Sequence, residues 1–266
     1  MEETRAYTPA TRAEKLAAFG RLLDVMDELR AGCPWDRKQT PETLRPLTIE
    51  ETYELADAIV RDDDADIEEE LGDLLLHLVF YALIGQERGA YDIASVCRRE
   101  TAKLIARHPH IYGDAEAADE DDVKRNWERL KLREEGKTTV LGGVPRGLPS
   151  LVKALRLQEK TARFGFEWAD AGQVWAKVEE EIGELREAHG EGAGPARVEE
   201  EFGDLLFSLV NYARFIDVDP DTALERANRK FRRRFDYVEA GAPRPLAELT
   251  LAEMDALWER AKSEGL

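Results

Sequence analysis

Cysteine is almost absent: Cys33 and Cys97 are the only two in the chain. They make neither a disulfide framework nor a zinc quartet, and they fit a reducing compartment. No apolar run approaches the roughly 20 residues of a membrane span. The segment Met1-Glu-Glu-Thr-Arg lacks the basic stretch and apolar run of a secretion signal. The expected location is therefore cytoplasmic, with no membrane partner. Positive charge is also scarce, with 38 Lys and Arg against 56 Asp and Glu, for a net charge of −18. A general nucleic-acid binder would be basic, so no nucleic-acid partner is expected. A polyanionic substrate would have to be held by bound metal and a few local cations. Several chemistries are missing outright. The chain has no Gly-x-x-x-x-Gly-Lys loop, no Gly-x-Gly-x-x-Gly turn and no His-Glu-x-x-His pair. Neither Glu70 nor Glu201 has a His three residues on, as a di-iron bundle would need.

The chain does have helical periodicity almost throughout. Residues 12–30 place Leu16, Phe19, Leu22, Leu23, Met26 and Leu29 on one side. Helical pattern continues over 47–60, 66–88, 92–108 and 122–135, then over 150–163, 172–189, 196–217, 220–239 and 250–264. No alternating β-branched segment suggests a sheet, so the expected fold is all-α. Gly32 to Asp36 and Pro41 mark a loop after the first helix. The Gly/Pro-rich stretch 136–149 is expected to link two helical domains, 12–135 and 150–264. Each is large enough to bury its own core.

A carboxylate pattern occurs twice. Glu50, Glu51 and Glu54 are followed by Glu70 and Asp73; Glu180, Glu181 and Glu184 are followed by Glu201 and Asp204. Residues three and four apart share a helix face. Two such helices packed side by side form a box of like charge that repels itself unless a cation fills it. Oxygen ligands alone point to Mg²⁺, with Mn²⁺ as a substitute. The expected metal ligands are Glu181, Glu184, Glu201 and Asp204, and in the first copy Glu51, Glu54, Glu70 and Asp73. Glu180, and Glu50 in the first copy, lie one residue earlier at the rim, placed to orient or deprotonate a water. Two cations about 3.5–4 Å apart would fit such a box and would suit in-line attack on phosphorus.

The repeat extends to the cations, at an offset near 130 residues. Lys103 and Arg107 match Lys230 and Arg234; Trp127 and Lys131 match Trp258 and Lys262. Lys177 precedes Glu181 by one turn, whereas Leu47 holds the matching place before Glu51. These cations suit phosphate oxygens. Trp127 and Trp258 serve either as base platforms or as core anchors. Arg232 and Arg233 read as surface ion-pairing residues, His77 as an ordinary helix residue, and His108 and His110 as loop residues.

Together these phrases resemble the MazG nucleoside triphosphate pyrophosphohydrolases, within the all-α NTP pyrophosphatase superfamily. Cys33-Pro-Trp-Asp36, Glu69-Glu-Leu-Gly-Asp-Leu-Leu75, Arg107-His-Pro-His110, Asn211-Tyr-Ala-Arg214 and Ala227-Asn-Arg-Lys-Phe231 add to the match. It runs from about residue 12 to 264 and is similar to the two-domain bacterial form. The resemblance implies Mg²⁺-dependent hydrolysis of NTPs and dNTPs to monophosphate and pyrophosphate, serving housecleaning of the nucleotide pool. It also implies a homodimer whose helices complete each other's sites. By the same resemblance Lys177, Glu180, Lys230, Arg234 and Trp258 contact the nucleotide. The cation missing at Leu47 makes the second half the expected main catalytic unit. Competing readings are a sensor that binds Mg-NTP without turnover, a helical scaffold with solvated acids, and a phosphohydrolase for a phosphoribosyl-ATP-like substrate.

Overall fold

The computed structural model describes residues 8–113, 139–190, 192 and 194–266. Trp127, Lys131 and the expected helix over 122–135 lie outside the described residues. The chain divides into two compact units, 1–117 and 118–266. The described residues form ten α-helices and no strand, as an all-α fold requires. No helix among them is long and apolar enough to cross a membrane.

The first unit begins with α1 (Arg12–Gly32), started by a capping box between Thr11 and Glu14. Its Met26 is buried with Leu44, Val79, Phe80 and Ile84, and Phe19, Leu22, Leu23 and Leu47 pack around them. The expected apolar side of α1 is shorter than its pattern suggested, because Leu16 and Leu29 at its ends are exposed. Arg30 ties the unit together. It makes two 2.7 Å bonds to the Glu87 carboxylate and donates to the carbonyls of Asp36 and Gln39. The Cys33-Pro-Trp-Asp36 phrase is thus held as a turn against the end of the helix that carries Glu70 and Asp73.

Helix α2 (Pro41–Arg61) starts six residues earlier than its apolar pattern suggested. Thr40 caps it and Pro41 occupies the first turn, where a missing N–H costs nothing. Pro46 lies inside the helix. Asp62 then turns the chain in the left-handed region, and Asp63 caps α3 (Asp64–Glu87) by accepting from the N–H groups of Ala65 and Asp66. Arg61 bridges Asp57 on α2 and Asp66 on α3. So short a connection folds α2 and α3 into an antiparallel hairpin. Helices α4 (Ile93–Arg107) and α5 (Pro109–Tyr112) complete the described part.

In the second unit, a short turn over Val140–Gly143 leads into α6 (Ser150–Ala162). The hairpin recurs as α7 (Ala171–Gly190) and α8 (Pro195–Phe215). Gly194 has φ of 92°, a conformation open to glycine, and hands the chain to Pro195 at the first turn of α8. Helix α9 (Pro220–Gly241) packs on α10 (Leu251–Ser263) through Val238, Leu249 and Leu257.

Candidate metal centre and substrate cavity

Each hairpin brings acids from its two helices together. In the first unit Glu51, Glu70 and Asp73 offer carboxylate oxygens within 4.8 Å of one another; in the second, Glu181, Glu201 and Asp204 do so. The fourth expected ligand of each set stands close enough to be felt. Burial, then Glu181 and Glu201, raise the Glu184 carboxyl above its ordinary value. In the first unit burial, then Glu54 and Glu51, raise Glu70. Burial, then Asp73 and Glu54, raise Glu51. Carboxylates crowded this way favour a proton or a cation between them. One oxygen in each box is left without a partner, since Glu70 Oε2 and Glu181 Oε2 are buried and accept no hydrogen bond among the described residues. A buried carboxylate oxygen with no donor is costly. An all-oxygen set with such an orphan fits a hard divalent cation.

The two boxes differ in their cations. Lys177 lies 2.6 Å from Glu180 and 2.8 Å from Glu181, and these acids raise its pKa. Arg197 approaches Glu201 at 3.5 Å. In the first unit the place matching Lys177 is Leu47, which packs against the core instead. Glu50 and Glu180 are both exposed at the rim.

The second box adjoins a cavity of about 570 Å³. Lys177, Glu181 and Asp204 belong to its wall, and so do Gln158, Phe166, Trp168, Phe207, Asn211 and Arg214. The polar groups are fixed. Gln158 Nε2 donates to the Phe207 carbonyl at 2.8 Å, and its buried Oε1 has no partner. Arg214 donates to Asn211 Oδ1 at 2.8 Å and 3.3 Å and reaches Glu167 at 2.6 Å. Sequence reading gave no role to Gln158, Glu167, Trp168 or Phe207. The phrase Asn211-Tyr-Ala-Arg214 was the one local signal for this wall.

The other expected substrate residues stand elsewhere. Among the described residues, the cavity lining does not include Lys230, Arg234, Trp258 or Lys262. Arg234 lies 5.6 Å from the Trp258 ring centroid and donates to the Leu266 carbonyl at 2.7 Å. Trp258 packs on Phe231 at 5.2 Å and against the Val238–Leu257 core. Lys262 pairs with Glu259 at 2.8 Å. Lys230 is exposed. In the first unit Lys103 pairs with Glu100, and Arg107 is buried at the end of α4. His77 is buried, and burial lowers its pKa. His108 stands between α4 and the short helix α5 with its ring at the Leu104 carbonyl, and His110, expected in a loop, lies within α5.

These features define a class: all-α proteins in which a helical hairpin presents a box of carboxylates beside a cavity. The family model described as the MazG nucleotide pyrophosphohydrolase domain matches twice, at residues 39–112 and 172–238, each match spanning one hairpin. The chain belongs to this family. It is 45% identical over 251 residues to the nucleoside triphosphate pyrophosphohydrolase/pyrophosphatase MazG of Thermotoga maritima, covering 92% of this chain and 95% of that protein. It is 42% identical over 254 residues to the nucleoside triphosphate pyrophosphohydrolase of Escherichia coli K12, covering 92% and 97%. The Mycobacterium tuberculosis protein with the same printed name is 34% identical over 150 residues, covering 54% of this chain and 46% of that one.

Proposed function

We propose that the protein hydrolyses nucleoside triphosphates, NTPs and dNTPs alike, to monophosphate and pyrophosphate, using Mg²⁺, in the housecleaning of nucleotide pools. The second unit carries most of the turnover. The observation behind this reading is that Glu181 has a buried, unpartnered Oε2 in a box with Glu201 and Asp204, and that this box shares a wall with a cavity. The names of the relatives above support the substrate class. Held by Glu181, Glu184, Glu201 and Asp204, Mg²⁺ supplies charge neutralisation for phosphate oxygens and a more acidic water. In the first unit Glu51, Glu54, Glu70 and Asp73 would hold it.

The side chains do the rest. Glu180, held by Lys177, orients a water and takes its proton as the water adds across the α–β phosphoanhydride bond and pyrophosphate leaves. Lys177 keeps Glu180 and exchanges Glu181 for a phosphate oxygen of the substrate. Glu50 is the corresponding acid of the first unit, with Lys103 and Arg107 on its substrate side; Trp127 and Lys131, which match Trp258 and Lys262 in the sequence repeat, are proposed to contact substrate as well. A homodimer is part of the proposal. Phe202, Leu206 and Leu209 on α8 and Leu71, Leu75 and Leu78 on α3 form matched apolar stripes at helical spacing, all exposed. Across such a pairing Lys230, Arg234 and Lys262 meet phosphate oxygens of the partner copy's substrate, and Trp258 orients Arg234.

A substrate panel with Mg²⁺ tests the reaction. The products should separate as monophosphate and pyrophosphate. Diphosphate and inorganic phosphate in their place would move the attack to a different bond and refute the reading.

A further inference from the structure

Helix α10 ends in a turn that folds back onto α9. Gly265 has φ of 86°, a conformation open to glycine. Its N–H donates to the Lys262 carbonyl at 3.1 Å, and the Leu266 N–H donates to the Ala261 carbonyl at 3.1 Å. These two bonds close the end of the helix in the pattern of a glycine cap. The turn meets two residues that share a face of α9, Arg234 and Tyr237. Arg234 Nε donates to the Leu266 carbonyl at 2.7 Å, and the Tyr237 hydroxyl donates to Glu264 Oε1 at 2.6 Å. Glu264 raises the Tyr237 pKa, so the phenol keeps the proton it donates.

Arg234 is therefore a held cation. Its guanidinium also lies 5.6 Å from the Trp258 ring centroid, and the residue is half-buried, whereas Lys230, Arg232 and Arg233 on the same helix are exposed. With Nε committed, the two terminal nitrogens of Arg234 make no hydrogen bond among the described residues. Two such nitrogens in one plane form a fork that matches two oxygens of a phosphate. An arginine fixed before binding loses less conformational freedom when that phosphate arrives.

We propose that the turn over residues 264–266 is a positioning element for substrate: the Leu266 carbonyl aims Arg234, and the bond between Tyr237 and Glu264 pins the turn in place. The inference rests on the reading above, in which Arg234 meets a phosphate oxygen of the partner copy's substrate. It adds Tyr237, Glu264 and Gly265 as positioning residues, which act through Arg234 and do not carry the contact themselves.

The test uses the full chain with Mg²⁺ and ATP and measures kcat and KM, with melting temperature to confirm folding. Gly265→Val puts a β-branched side chain on a left-handed backbone and should open the turn. KM should rise about fivefold or more, the scale of one weakened hydrogen bond to a charged group, while kcat stays within about twofold of wild type. Gly265→Asn, which tolerates that backbone, should recover most of the affinity. Repeated in an Arg234→Met background, Gly265→Val should change KM no further, because the turn acts through that one side chain. Tyr237→Phe should raise KM in the same direction and serves if Gly265→Val fails to fold. An unchanged or lowered KM in whichever of these two variants folds, or an equal rise with and without Arg234, would show that the turn only caps α10 and would overturn the inference. An Arg234→Met chain with wild-type KM would instead remove the phosphate reading of Arg234, and the inference with it.

Discussion

Lys177 Nζ lies 2.8 Å from Glu181 Oε1, one turn along α7, and Leu47 fills the equivalent place before Glu51. This exchange, with Arg197 beside Glu201, distinguishes the cations of the two carboxylate boxes. In the second unit a resident cation offsets part of the repulsion and lines the cavity. In the first the position stabilises the core. Lys177→Met should lower kcat/KM by about 10–100-fold, as loss of one charged contact at developing phosphate charge would. The reciprocal Leu47→Lys should destabilise the fold without restoring that activity. A kcat/KM for Lys177→Met within twofold of wild type would show that Lys177 only screens the acids.

The carboxylates make stability depend on pH. In the metal-free protein Glu51, Glu70 and Glu184 are raised above their ordinary value of 4.5, chiefly by burial and then by neighbouring carboxylates of their own box. The folded chain therefore holds these protons to higher pH than the unfolded chain does. Their contribution is fully present below 4.5 and is lost as pH rises through the raised values. The melting temperature without metal should fall along that rise, and Mg²⁺ should restore more of it at higher pH, where protons no longer compete. A metal-induced shift that shrinks with rising pH would contradict the assignment.

Gln158 presents a trade between stability and binding. Replacing an amide that has a buried, unpaired oxygen by an apolar side chain of similar shape is close to neutral or stabilising. Gln158→Met should keep the melting temperature or raise it while increasing KM for nucleotide several-fold. A clear drop in melting temperature would mean that the amide serves packing.

Arg30 tests the independence of the units. Its guanidinium joins Glu87 to two carbonyls of the turn, and its side chain is 15% exposed. Arg30→Met should destabilise the first unit by about 2 kcal/mol, the range for breaking a largely buried charged network. Turnover per folded molecule should persist if the second unit carries it, as proposed. Loss of turnover in step with first-unit unfolding would tie activity to the first hairpin.

The all-α fold and the carboxylate boxes were legible because they depend on local spacing. Glu51 with Glu54, Glu70 with Asp73, and their counterparts share faces by helical period alone. The start of α2 was misplaced because the apolar pattern begins only at Leu47, whereas the cap at Thr40 and the proline at 41 set the first turn. The cavity wall was not legible. Arg214 and Glu167 are 47 residues apart, and Gln158 meets the Phe207 carbonyl from 49 residues away. No local period reports such contacts. Trp258 was read as either platform or anchor, and the structure packs it on Phe231 and the adjacent core.

Pyrophosphate release by Glu54→Gln and Glu184→Gln, measured side by side in Mg²⁺ with wild type, addresses the division of labour most directly. Glu184→Gln should lose about 100-fold or more, the scale of several kcal/mol of transition-state stabilisation, and Glu54→Gln should stay within about threefold of wild type. Equal losses, or a loss confined to Glu54→Gln, would contradict it.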